Sequence, residues 1–250
     1  GMRRRGYTPA AIRNFCERVG VTKKNSIIAL STLEHSVRED LDLNAPRAMA
    51  VLDPVKVVIE NWPEDKVEIL EAKRHPKSDE MGVRNFEMTR EVYIERSDFM
   101  EDAPKKFFRL KPDGKVRLRN AYVIHCHEVI KDENGHVTEL RATFDPETKG
   151  GKTPEGQKKV KGIIHWVSAS HSIPCEVRLY DRLFTDPNPD GHKNKDFKDF
   201  LNSESIVVPK KSFVESSLKG TKPGQNFQFE RMGYFFTDPL DSKQEALVFN

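Results

Sequence analysis

The stretch Val116-Arg117-Leu118-Arg119-Asn120-Ala121-Tyr122-Val123-Ile124-His125-Cys126-His127-Glu128-Val129-Ile130, the turn Glu133-Asn134-Gly135-His136 and the run Val137 to Phe144 decide the fold class. Apolar residues recur at every second position on both sides of the Asn-Gly pair. That period suits a half-buried strand, and Asn-Gly supplies the positive φ a tight hairpin turn requires. The two runs are therefore expected to pair.

Outward from this hairpin the two-residue period persists. Met49 to Ile59, broken at Pro54, Val67 to Leu70, Phe86 to Ile94, Lys159 to Ala169 and Cys175 to Phe184 read as strands, with short ones at Ile206 to Val208, Phe227 to Phe229 and Tyr234 to Phe236. Many short strands at close spacing point to barrels or sandwiches, not an α/β sheet. Only the first 45 residues differ. Thr8 can cap a helix that Pro9 begins and Gly20 ends, with Ile12, Phe15, Cys16 and Val19 on one face. A second helix is expected from a cap at Asn25 or Ser26, with a stripe of Ile27, Leu30, Leu33, Val37 and Leu41, stopped by Asn44-Ala45-Pro46. The fold class expected is mainly β, as barrels or sandwiches, behind a small α-helical part.

Composition narrows the function classes. The chain has 250 residues, 36% hydrophobic and 32% charged, with net charge +3. That balance describes a folded, polar-rich protein. No apolar run approaches the roughly 18 residues of a membrane span, and no hydrophobic stretch follows Arg3-Arg4-Arg5, so neither membrane nor export is expected. Cys16, Cys126 and Cys175 are odd in number and scattered, as reduced thiols of a cytoplasmic protein would be.

Active-site patterns are missing. The sequence contains no G-x-x-x-x-G-K-[ST] or G-x-G-x-x-G loop, and no Ser, His and acid set arranged as nucleophile and base. His125-Cys126-His127 lacks a second pair of ligands at metal-site spacing, so no metal is expected. One cluster does stand out. Lys105, Lys106, Arg109, Lys111, Lys115, Arg117 and Arg119 surround Phe107 and Phe108. Cations attract phosphate and rings offer bases a stacking surface, which suits single-stranded nucleic acid.

Longer motifs carry a resemblance. Gly1-Met2-Arg3-Arg4-Arg5-Gly6-Tyr7-Thr8, Asn44-Ala45-Pro46-Arg47-Ala48-Met49-Ala50-Val51 with Asp53-Pro54-Val55-Lys56, and Val116 to Ile124 are similar to successive segments of glutaminyl-tRNA synthetases. So are Val160 to Ala169, Glu176 to Phe184, and Phe227-Gln228-Phe229-Glu230-Arg231-Met232-Gly233-Tyr234-Phe235, all in family order. The resemblance implies a helical stem-contact subdomain over 1–45 and two anticodon-gripping β-barrels over 46–250. The distal barrel would take 75–158, and the proximal one 46–74 plus 159–250. It also implies that the catalytic domain, with its ATP and Mg2+, lies upstream of Gly1. This chain would then hold no cofactor and be inactive alone, while the full-length protein is a glutamine–tRNA ligase.

By the same resemblance, Arg47, Arg109, Arg117, Gln228 and Arg231 fall on the family's anticodon readers, and Lys23, Lys105, Lys106 and Arg119 are candidates for backbone or stem contact. The partner implied is tRNA(Gln), bound by a monomer, with no DNA. The residue types suit the task. Glutamine anticodons end in U then G, and an arginine such as Arg109 can donate twice to guanine O6 and N7. Gln228, flanked by Arg47 and Arg231, offers donor and acceptor to the middle uracil. Arg117 corresponds to the first base. Phe107 and Phe108 stand where the family often has a more polar pair. The alternatives are a glutamyl-tRNA synthetase of archaeal or eukaryotic type, whose anticodons end in C, and a free-standing RNA-binding module derived from a synthetase.

Overall fold

Asn120 prevents residues 115–131 from forming one strand. In the computed structural model, which describes residues 1–24 and 26–250, Asn120 takes a left-handed φ of 59°. Leu118 N–H donates to the Tyr122 carbonyl over 2.8 Å, closing a tight turn. The expected single run is thus two antiparallel strands, Lys115–Leu118 and Val123–Lys131. The second pairs with Val137–Asp145 across the Asn134-Gly135 turn, as the alternation predicted, with a bulge between Cys126 and Glu128.

These strands belong to a seven-stranded sheet. Its order runs Ile163–Ile164, Lys115–Leu118, Val123–Lys131, Val137–Asp145, Pro54–Ile59, Glu91–Glu95, Trp166–Ser168. The two edge strands are consecutive in sequence, with only His165 between them. The sheet therefore curls until its edges meet at His165, which removes most unpaired edge. Inside lie Val57, Ile94, Leu118, Ile124, Leu140 and Trp166, all fully buried. The division implied by resemblance puts 54–59 and 163–168 with the proximal unit; strand pairing puts both segments in this barrel. Parallel pairing of distant segments leaves no local trace in a sequence.

A second core forms behind the first. Its walls are the sheet Arg47–Ala48, Asn226–Phe229, Gly233–Phe236 and the sheet Leu247–Phe249, Ile173–Val177, Ser212–Val214, Ala50–Val51. Phe229 stacks on Phe235 with centroids 4.5 Å apart and meets Phe249 edge-on at 5.0 Å. Residues 48–52 are shared by both cores. Met49 and Val51 face the barrel interior, whereas Ala48, Ala50 and Leu52 face the second core. A strand buried on both faces fixes one body against the other.

The helical part follows expectation at its first helix and departs at its second. Helix α1 spans Pro9–Val19, with Thr8 Oγ accepting from Ala11 N–H and Gly20 at a φ of 71° closing it. Ala11 is its buried residue, and Cys16, expected on the inner face, is exposed. Helix α2 spans Leu30–Asn44 and begins after Ala29, with no side-chain cap. Ser26 does not cap it, Ile27 lies outside it at 87% exposure, and the expected cap Asn25 lies outside the described residues. Leu33 and Leu41 do face inward. Ile27 and Ile28, just ahead of Leu30, are exposed, so no apolar burial supports another helical turn there. No helix among the described residues is long and apolar enough to cross a membrane.

Candidate nucleic-acid interface

Arg47 follows the helix stop Asn44-Ala45-Pro46 and starts a two-residue strand. Its parallel partner is Gln228, far along the chain, with Gln228 N–H on the Pro46 carbonyl at 2.9 Å. Tyr234 lies opposite Gln228 on the next strand. Arg47 Nη2 reaches Asp42 Oδ1 at 3.4 Å, and Lys77 Nζ contacts the same carboxylate at 3.1 Å. The Lys77 ammonium, and Arg47 after it, hold the Asp42 carboxyl below its usual range. Two buried atoms at this corner, Arg47 Nε and Gln228 Oε1, have no hydrogen-bond partner among the described residues. Each such group costs about 1–3 kcal/mol. The unpartnered donor and acceptor lie on adjacent, paired strands.

Three residues beyond Gln228, Arg231 sits at a φ of 69° in the turn before Gly233–Phe236. Its guanidinium grips Asp98 through two bonds, of 2.5 and 2.7 Å. Nη1 also donates to His165 Nδ1 at 3.1 Å. The Asp98 hydrogen bonds raise the Arg231 pKa. Arg109 Nε lies 3.2 Å from the same Asp98 carboxylate, and its Nη1 donates to the Ser97 carbonyl at 2.9 Å. Arg109 also lies over the Phe107 ring at 5.8 Å, and Lys161 over Phe108 at 5.6 Å. Gly162 permits this arrangement: a Cβ there would collide with the Phe108 carbonyl oxygen.

Beneath this surface lies a charged knot. Arg84, 2% exposed, donates to Glu215 at 2.8 Å and Glu230 at 2.5 Å. Glu230 also pairs with Arg119. Burial pushes the Glu215 carboxyl up, and Arg84 works against it. Arg119, expected at the RNA backbone, is therefore half committed to a protein partner.

Arg117 is not brought to the others. It is buried, and its Nη1 and Nη2 donate to the Thr148 and Lys152 carbonyls at 2.6 and 2.7 Å. Burial pulls its pKa down. It floors a separate pocket of about 290 Å³ rimmed by Lys115, Lys152, Gln157 and Lys158. Lys105, Lys106 and Lys23 are exposed, the first two beside Phe107 and the third between the helices. His125 and His127 pair with Asp113 and Glu60 at 2.7 and 2.9 Å.

Sequence reasoning overlooked Asp98, Arg84, Glu230 and Tyr234. Arg84 did leave a signal, because it shares the alternating face of Phe86 and Met88, all three buried. An arginine in a core-facing register position demands acidic partners. Asp98, within Arg96-Ser97-Asp98 on a 3-10 turn, left none.

Comparison with known proteins identifies the family. Residues 45–145 match the profile described as tRNA synthetases class I (E and Q), anti-codon binding domain, and residues 163–238 match a second profile of the same description. The glutamine–tRNA ligase of Pseudomonas putida is 54% identical over 251 residues, and that of Vibrio parahaemolyticus 55% over 250. That of Stutzerimonas stutzeri is 54% identical over 251 residues. Each alignment covers 100% of this chain and 44–45% of the relative. The chain belongs to the anticodon-binding domains of the class I tRNA synthetases for glutamate and glutamine.

Proposed function

We propose that this chain reads the anticodon of tRNA(Gln) as a monomer in the cytoplasm, as part of a longer protein that is a glutamine–tRNA ligase. ATP and Mg2+ would then be handled by residues outside this chain. The observation carrying the reading is the Arg47–Gln228 corner, where a buried donor and acceptor lack protein partners among the described residues. A uracil edge presents N3–H and two carbonyl oxygens, and so complements both. Arg231 lies beside this corner, and Arg109 presents a guanidinium suited to the guanine that follows. Arg117 would meet the first base in its own pocket once its carbonyl contacts loosen. Lys105, Lys106 and Arg119 would face phosphate, with Lys23 toward the stem. Bases read in this way must be unstacked and splayed, as in sequence-specific recognition of RNA loops generally.

Filter binding of this chain to glutamine tRNA transcripts tests the reading. Changing the middle U to any other base should weaken binding by about fivefold to 150-fold, the equivalent of about 1–3 kcal/mol. Changing the third-position G to C separates the glutamine from the glutamate assignment: glutamine requires loss, glutamate requires gain. Equal binding of all these transcripts would end the proposal.

A further inference from the structure

We infer that Asp98 is a positioning residue for anticodon discrimination: one buried carboxylate sets the orientation of both Arg109 and Arg231. This rests on the reading just proposed for those two arginines. Asp98 touches no RNA in this scheme, since its side chain is only 2% exposed. It acts through the guanidiniums above it, whose side chains are 43% and 26% exposed.

The backbone builds the arrangement from three distant segments. Phe99 and Leu110 form an isolated parallel bridge, and Leu110 N–H donates to the Asp98 carbonyl at 3.0 Å. That bridge lays Arg109 alongside Asp98. From the other core, the left-handed turn at Arg231 aims its side chain across the junction, where it closes a two-pronged pair on the same carboxylate. A bidentate arginine–carboxylate pair fixes the plane of the guanidinium as well as its place. His165 then limits rotation by accepting from Nη1, while Glu95 lies 3.7 Å from its other nitrogen. One negative charge thus serves two positive groups, leaving the pair with a surplus positive charge toward solvent. Each guanidinium keeps N–H groups free of Asp98, Ser97 and His165. The consequence is joint control: displacing the carboxylate misaligns the readers of two successive bases together.

The test uses this chain with Asp98→Asn and Asp98→Glu, against transcripts altered singly at the three anticodon positions. The ratio of wild-type to altered-tRNA affinity should fall about tenfold at both the middle and third positions for Asp98→Asn. The ratio at the first position, read by Arg117 in its separate pocket, should stay unchanged. Asp98→Glu keeps the charge but moves it by one methylene, and should lower the same two ratios about threefold at an unchanged salt slope. A structural or purely electrostatic role would be met by glutamate, or would weaken binding to every transcript alike. Retention of both ratios in the variants, or equal loss at all three positions, overturns the inference. If unaltered protein shows no discrimination at all, the anticodon reading itself has failed. If Asp98→Asn does not fold, as judged by urea denaturation, Asp98→Glu alone decides.

Discussion

Gln228 and Glu230 lie two residues apart, yet they end in opposite conditions. Glu230 is held by Arg84 and Arg119, and with Glu215 it forms a knot whose charges have partners. Gln228 keeps a buried oxygen with no partner among the described residues, beside an equally unpartnered Arg47 Nε. Both places carry desolvated polar atoms. In the knot, Arg119 Nε also lacks a hydrogen-bond partner but lies against the Glu230 carboxylate, whereas the two corner atoms have no partner among the described residues. The groups that hold the two cores together are paired charges, whereas the corner holds an uncharged acceptor without a partner among the described residues. Burial alone does not distinguish the two; the presence of a partner does.

The largest effect expected is on the knot. Arg84→Met should cost about 3–5 kcal/mol in urea unfolding, because Glu215 then stays buried without its cation and Glu230 keeps only Arg119. The pH dependence sharpens this. The Glu215 carboxyl is already raised above its ordinary value by burial, so its folded form holds a proton more tightly than its unfolded form. Stability from such a group is greatest near and below the unfolded pKa and falls as pH rises toward the folded one. The Arg84→Met protein should therefore regain part of its loss between about pH 7 and pH 5. A loss under about 1 kcal/mol, in the range of exposed pairs, would erase the contrast.

The corner should behave in the reverse manner. Gln228→Ala removes an unsatisfied acceptor but also the packing of its side chain, opposed effects, so unfolding should change by less than about 1 kcal/mol. Preference for U at the middle anticodon position should fall by about 1–3 kcal/mol in filter binding. Large destabilisation with intact preference would place Gln228 among the structural groups instead.

The smallest effect belongs to the exposed lysines. Replacing Lys105 and Lys106 together by alanine should weaken binding to all anticodon variants equally. The slope of log K against log salt should shrink by about 0.7 for each phosphate that no longer meets a lysine. Altered preference among bases would show that these side chains read sequence.

What the sequence made legible depended on distance along the chain. The hairpin around Asn134-Gly135 and the Thr8-capped helix were readable because their signals lie within a few residues. The start of the second helix was not, since Ser26 offers a cap that packing does not use. Barrel closure at His165 and the Arg47–Gln228 pairing join segments with no shared local pattern, so only the resemblance pointed to the latter. For Arg117 the resemblance implied a reader, but burial against the Thr148 and Lys152 carbonyls gives it a structural task.

The register between Arg47 and Gln228 also bears on the order of synthesis. A growing chain presents Arg47 early, but the strand that pairs with it leaves the ribosome far later. Until then the arginine has no parallel partner to lock its backbone, and the hairpin carrying Arg231 does not yet exist. Unfinished polypeptides therefore lack the assembled corner, which only the nearly finished chain can close.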